Sequence, residues 1–305
     1  MKLRIRIPAT TANLGSGFDC IGAALKLYNE FEIEFVKTGS LTVEIRGEGK
    51  KSLPAGKNNI IISTINEVLK AHKYNKPVNA HILIKNNIPV ARGLGSSATA
   101  YLAGAITANK LLKNKLSNRE LLSIVAKKEG HPDNAVPSLL GGICIASCDN
   151  DFNCRWERLI PPKDIKVVIG IPEFELSTKK ARNILPDKVP IKDAVFNMSR
   201  VALLTLALLQ KKYELLSVAM EDRLHQPYRE KLVPGLREII NKTRAAGAYG
   251  AALSGAGPSV ISLCNPNNTE KIAKLIQNIW ISKRIKSRCL ILDFDNTGTQ
   301  IISIS

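Results

Sequence analysis

The sequence predicts an α+β protein of two domains, and three observations carry that prediction. Short alternating apolar runs are interleaved with longer helical patterns through both halves of the 305 residues. Near the middle, Asp149-Asn150-Asp151 and Pro161-Pro162 interrupt the pattern over residues 148–163. A glycine loop, Pro89-Val90-Ala91-Arg92-Gly93-Leu94-Gly95-Ser96-Ser97-Ala98-Thr99, stands between an alternating run and a helical one. The expected domains are residues 1–155 and 156–305, each long enough to bury a core.

The elements follow in order. Leu3–Ile7 alternates as a first strand, and Pro8–Asp19 reads as a small-residue loop carrying Asn13 and Asp19, side chains suited to hydroxyl and ammonium groups. Ala24–Val36 and Leu41–Arg46 are strands with a turn at Gly39-Ser40. Asn58 and Asn59 offer an N-cap for an amphipathic helix to Ala71, and Asn79–Lys85 is a strand leading into the glycine loop. Ala98–Leu112 is helical. Ser117-Asn118-Arg119-Glu120 is a capping box opening a helix that reaches Glu129. Glu129-Gly130-His131-Pro132-Asp133-Asn134 then leads through Gly141-Gly142 to a strand at Ile143–Ser147.

In the second half Lys166–Ile171 is a strand, and Ile191–Gln210 and Leu215–Met220 are helices. Gly247–Ser259 reads as two apolar strands broken by a Gly-Ala-Gly-Pro turn. Helix Thr269–Ile281 and strands Ser287–Phe294 and Gln300–Ile304 are expected to complete the second domain.

Composition narrows the function classes. Hydrophobic content of 45% with interspersed charge fits a soluble globular chain, and no apolar run reaches the ~20 residues of a membrane helix. The N-terminus lacks the apolar core of a signal peptide, so a cytoplasmic location is expected. The net charge is +18, yet Lys and Arg are spread along the chain and aromatics are only 5%. No basic block is interleaved with stacking rings, so neither nucleic acid nor membrane is an expected partner. The six cysteines show no C-x-x-C spacing and are expected as buried reduced thiols.

The glycine loop has the layout of a phosphate site. Gly93 and Gly95 permit left-handed backbone and close approach to a ligand, while Ser96 and Ser97 would supply cap hydroxyls beside the unsatisfied N–H groups of a helix start. It is neither a Walker A loop nor a dinucleotide G-x-G-x-x-G fingerprint. It resembles the Pro-x-x-x-Gly-Leu-Gly-Ser-Ser-Ala signature of the GHMP kinases, the superfamily of galactokinase, homoserine kinase, mevalonate kinase and phosphomevalonate kinase.

That resemblance implies an N-terminal ribosomal-S5-like α+β domain and a C-terminal ferredoxin-like α+β domain, with the active site between them. It assigns ATP to Pro89, Val90, Ala91, Arg92, Gly93, Leu94, Gly95, Ser96, Ser97, Ala98 and Thr99, with Asn58 either reaching the adenine or ribose or serving only as a cap. It also implies Mg²⁺ with ATP, held by Glu129 and Ser97. One carboxylate, one hydroxyl, phosphate oxygens and water suit that ion.

Three further stretches resemble homoserine kinases in particular. Thr11–Asp19 matches their Ser/Thr-x-Asn-x-Gly-x-Gly-Phe-Asp loop, which would place Asn13 and Asp19 on the amino-acid substrate. Ser177–Pro186 is similar to the segment in which Thr178 and Arg182 face the site, although ordinary helix surface is the alternative there. Asp222–Arg229 matches Asp-x-x-His-Gln-Pro-Tyr-Arg, with Arg229 as a second clamp on the substrate carboxylate. His131 and Asn134 would line the substrate pocket, and Glu129, Ser97, Asn134 and Arg182 would carry catalysis. The implied reaction moves the γ-phosphoryl of ATP to the side-chain hydroxyl of L-homoserine, and the implied assembly is a homodimer. Asp133 as general base and proton transfer to the phosphate itself stay open. A GHMP kinase of other specificity and a silent ATP-binding sensor are the competing readings.

Overall fold

In the computed structural model, which describes residues 2–304, the first sheet is organised by one long strand. β1 (Lys2–Asn13) turns through residues 14–16 into β2 (Gly17–Phe35), and the two pair antiparallel. The other edge of β2 serves two partners, β4 (Ala80–Asn86) along its later half and β5 (Ile143–Cys148) along its earlier half. β3 (Leu41–Gly47) lies parallel to β4, and β6 (Cys154–Leu159) forms a hairpin with β5. The β1–β2 register shifts at Pro8/Ala9, where proline has no N–H to give the ladder.

Helices α1 (Ile60–Ala71), α2 (Ser96–Leu111), α3 (Asn118–Glu129) and α4 (Ala135–Leu140) accompany this sheet. Phe31, Ile33, Ile65, Ile82, Leu102, Leu122 and Val125 share its core. The expected capping box forms at α3, where Ser117 and Glu120 bond each other's backbone amides. At α1 the cap is Asn59, whose Oδ1 accepts from the Ile61 amide at 2.9 Å.

The second unit runs β7 (Lys166–Pro172), α5 (Thr178–Asn183), α6 (Ile191–Gln210), α7 (Leu216–Ala219), α8 (Gln226–Arg229), α9 (Leu236–Ala245), β8 (Ala248–Leu253), β9 (Val260–Cys264), α10 (Thr269–Ser282) and β10 (Ser287–Leu292). Its antiparallel sheet has the order β10-β7-β9-β8. With helices between β7 and β8 and between β9 and β10, this is the ferredoxin-like β-α-β-β-α-β arrangement the motifs imply. Ile21 and Ile143 of the first unit pack in one core with Ile169, Leu204 and Ile261 of the second, which fixes the seam between them.

Five expectations change. The Pro8–Asp19 loop is mostly strand, because small residues tolerate the close β1–β2 pairing and only residues 14–16 turn. The 215–220 helix is shorter, a 3₁₀ turn at Tyr213–Leu215 followed by α7. The final strand, β11 (Gln300–Ile304), returns to pair with β1 rather than completing the second unit, and a boundary at 155/156 falls inside β6. Alternation marks a strand but not its partner. Finally, Cys148 and Cys154 are not free thiols: they are directly opposed in the β5–β6 hairpin with Cα atoms 4.0 Å apart and form a disulfide. Cys20, Cys144, Cys264 and Cys289 are free, as expected, but only Cys144 and Cys264 are fully buried. Among the described residues no helix is long and apolar enough to cross a membrane.

Candidate active site

Between β4 and α2 the chain turns through Gly93 and Gly95, with φ of 69° and 70°. Both positions also demand the absence of a side chain. A Cβ on Gly93 would lie 2.1 Å from the Ser254 carbonyl oxygen, and one on Gly95 would lie 2.0 Å from Oγ1 of Thr10. The loop is therefore held from both units, with the Thr10 amide on the Leu94 carbonyl at 3.1 Å and the Ser254 hydroxyl on the Gly93 carbonyl at 2.7 Å. Gly95, not a serine, is the residue that caps α2, and among the described residues no side chain bonds the first amides of the helix. Ser96 and Ser97 lie inside the first turn, which leaves those amides and the positive dipole end free for an anion.

These residues border a cavity of about 320 Å³ at the seam. Residues 89–97 line it, with Asn13, Asp19, Glu129, His131, Asn134, Thr178, Arg182 and Arg229. Ala98 and Thr99 do not reach it. They are fully buried behind the loop, where Oγ1 of Thr99 donates to the Ser96 carbonyl and accepts from Asn29. Arg92 reaches it but turns its guanidinium onto the carbonyls of Pro172 and Val90, each at 3.0 Å, and of Glu173, tying the loop to the second unit. Asn58 is exposed and away from the cavity; its neighbour Asn59 lines the wall instead, beside Leu53, Pro54 and Asn86. The Asn-Asn pair signalled the cap without saying which member it was. Nothing in the local pattern marked Leu53, Pro54 or Asn86.

Glu129 ends α3, and Gly130 in left-handed conformation redirects the chain into the next residues of the site. Desolvation holds the Glu129 carboxyl above its ordinary pKa, against the opposing pull of His131 and Ser97. Beyond it, Nδ1 of His131 bonds the Asp133 carboxylate, the same oxygen accepts from Asn134 at 3.1 Å, and Asn134 accepts from the Thr10 hydroxyl at 2.7 Å. Burial works against a charged His131, but the charge and hydrogen bond of Asp133, with Asp19 and Glu129 nearby, outweigh it and raise the imidazole pKa.

Asp19, His131 and Asp133 bring ligand atoms within 4.8 Å of one another. That trio is already engaged, His131 with Asp133 and Asp19 with Arg182. Ser97 and Glu129 offer only oxygen donors beside the free helix end, which fits a magnesium ion better than an imidazole-bearing set.

At the other end of the pocket, Asp19 adopts φ of 57°, held by its amide on Oδ1 of Asn13 at 3.1 Å. Its carboxylate receives Arg182 in a two-pronged pair. Arg229 is 2% exposed, with Nε on the Ala181 carbonyl at 3.0 Å and Nη1 on the Gly255 carbonyl at 3.1 Å. Burial, then repulsion from Arg182, brings its pKa down to about 10. The two arginines, distant in sequence, thus converge on one pocket. Thr178 opens α5 at its exposed rim.

Models of the GHMP kinases N terminal domain and the GHMP kinases C terminal match residues 59–142 and 204–282. A homoserine kinase of Carboxydothermus hydrogenoformans is 44% identical over 94% of this chain and 92% of its own. The chain belongs to the homoserine kinase family. A second family member, from Caldanaerobacter subterraneus, is 40% identical over 98% of this chain and 95% of its own. The crystal structure of homoserine kinase from Cytophaga hutchinsonii superposes with a TM-score of 0.87 at 27% identity, covering 99% of this chain and 97% of that one. As a homoserine kinase family member the chain is a phosphotransferase of the GHMP fold, with its cavity at the seam of the family's two domains.

Proposed function

We propose that this cavity binds ATP with Mg²⁺ and L-homoserine and transfers the γ-phosphoryl group to the substrate hydroxyl, giving O-phospho-L-homoserine on the route to threonine. The observation that carries the reading is the pairing of opposites in one pocket. A carboxylate and two guanidinium groups, the complement of an amino-acid zwitterion, stand across from an uncapped helix N-terminus that complements phosphate.

Phosphoryl transfer needs positioning and charge neutralisation more than covalent help from the protein. The amides at the start of α2 and the backbone of residues 91–95 would cradle the phosphates, and the apolar end near Leu53 and Pro54 would take the base. Glu129 and Ser97 would hold Mg²⁺, which supplies positive charge beside the phosphates. Arg182 and Arg229 would grip the substrate carboxylate and Asp19 its ammonium group. Asn13, His131, Asn134 and Thr178 would border its chain and hydroxyl.

The acceptor proton has two candidate destinations. Asp133 is the nearby carboxylate, but its Oδ1 is already engaged by His131 and Asn134. That favours transfer of the proton to the γ-phosphate itself, and a kcat that survives in Asp133→Asn would bear this out.

A homodimer in the cytoplasm is the assembly and location that the family resemblance suggests. The +18 charge would help collect anionic nucleotide. A coupled ADP-release assay with Mg-ATP and L-homoserine, mevalonate, shikimate or galactose tests the substrate. Turnover on homoserine alone supports the reading. Turnover on another acceptor would make this a GHMP kinase of other specificity, and ATP binding without turnover would make it a sensor.

A further inference from the structure

Behind the side chains that face the cavity, a single ring joins both walls of the substrate end. His225 is fully buried and stacked on Phe18, ring centroids 5.0 Å apart. Its Nε2 lies 2.8 Å from the Gly15 carbonyl oxygen, and its Nδ1 lies 3.3 Å from Nη1 of Arg229. A carbonyl can only accept and a guanidinium can only donate, so these neighbours select the neutral tautomer with its proton on Nε2.

The groups around the ring agree. Burial lowers the His225 pKa, Arg229 adds to that, and Asp222 and Asp19 oppose it. Asp222 is 3.6 Å from Nε2, but its oxygens already accept from the amides of Leu224, His225 and Gln226 and from the Asn197 side chain. It fixes the start of α8 and leaves the ring to its two partners.

We propose that His225 is a positioning residue for substrate recognition, a spacer that sets Arg229 against the turn bearing Asn13 and Asp19. Arg229 is one helical turn further on, with Nε and Nη1 both engaged by acceptors behind the pocket. Among the described residues Nη2 has no hydrogen-bond partner, so the aim of that nitrogen depends on the contacts at Nη1. The same ring donates to Gly15, two residues from Asn13. It thereby couples the arginine wall to the acidic wall across the width of one imidazole. This inference rests on the homoserine reading.

Half-replacements test it. His225→Asn keeps an acceptor near the Nδ1 position and loses the donor to Gly15, whereas His225→Gln keeps a donor near Nε2 and loses the acceptor for Arg229. In Mg-ATP turnover of L-homoserine, both should raise the KM for homoserine, Gln the more strongly and by about tenfold. The KM for ATP should stay within about twofold. In an Arg229→Lys background the Gln change should add little to the homoserine KM, because the group being aimed is gone.

A variant-free check is nitrogen NMR of the wild-type imidazole, which should report the neutral Nε2–H form. Equal rises in both KM values, full additivity of His225→Gln with Arg229→Lys, or a charged or Nδ1–H ring would each overturn the inference. Absence of homoserine turnover by the wild-type protein would instead sink the substrate reading, and this one with it.

Discussion

The two terminal nitrogens of Arg182 reach the two carboxylate oxygens of Asp19, at 3.0 and 2.8 Å, across the seam between the units. Each side chain is about one-third exposed, so the pair contributes at most about 1 kcal/mol and opens cheaply. In the proposed function a zwitterionic substrate would replace it with two pairs, ammonium on Asp19 and carboxylate on Arg182.

Removing either partner should therefore damage substrate binding far more than folding. Asp19→Asn and Arg182→Leu are each expected to raise the KM for homoserine by about 10²-fold. The KM for ATP should change little and the thermal midpoint should move by no more than a few degrees. Steady-state kinetics and calorimetry check this together.

In the proposed function Glu129 would serve the other substrate, through Mg²⁺. Glu129→Gln keeps the shape of the side chain and removes its charge, so kcat should fall by about 10²-fold or more. The Mg²⁺ concentration for half-maximal rate should rise, as read by titrating the metal at fixed ATP.

Gly95 and Gly130 both have positive φ, but only one is crowded. Gly95→Ala forces a methyl against Thr10 and should cost about 1–3 kcal/mol in urea unfolding and abolish ATP binding. Nothing among the described residues lies within 4 Å of a Cβ on Gly130, so Gly130→Ala meets only backbone strain, about 1 kcal/mol, with ATP binding retained.

The His131–Asp133 pair gives stability a pH signature. The folded imidazole has a pKa above its ordinary value, so the fold holds that proton more tightly than the unfolded chain. The stabilisation is complete below the unfolded value of about 6.5 and is lost as pH rises through the folded value. The gap in Tm between wild type and His131→Gln should be wider near about pH 6 than near about pH 9.

What could be read from the sequence is what local chemistry encodes. The glycine loop, the Ser117–Glu120 cap, the end of α3 at Glu129 and the α6 span are all set by neighbours in the chain, and each forms where expected. Partners distant in the chain were out of reach. Neither the return of Gln300–Ile304 to β1, the opposition of Cys148 and Cys154, nor the capture of Arg92 by Pro172 is written in the spacing of its own segment. The site shows the same division. The motifs named Asp19, Arg182 and Arg229, but only the fold puts Arg182 on Asp19 and His225 behind Arg229.

The most direct test of the zwitterion site is turnover with trimmed acceptors. L-Homoserine should be phosphorylated efficiently, while 4-hydroxybutyrate, which lacks the ammonium group, and 3-aminopropanol, which lacks the carboxylate, should each lose about 10²-fold or more in kcat/KM. Trimmed acceptors that match homoserine would mean that Asp19 and the two arginines do not grip the substrate, and would contradict the assignment.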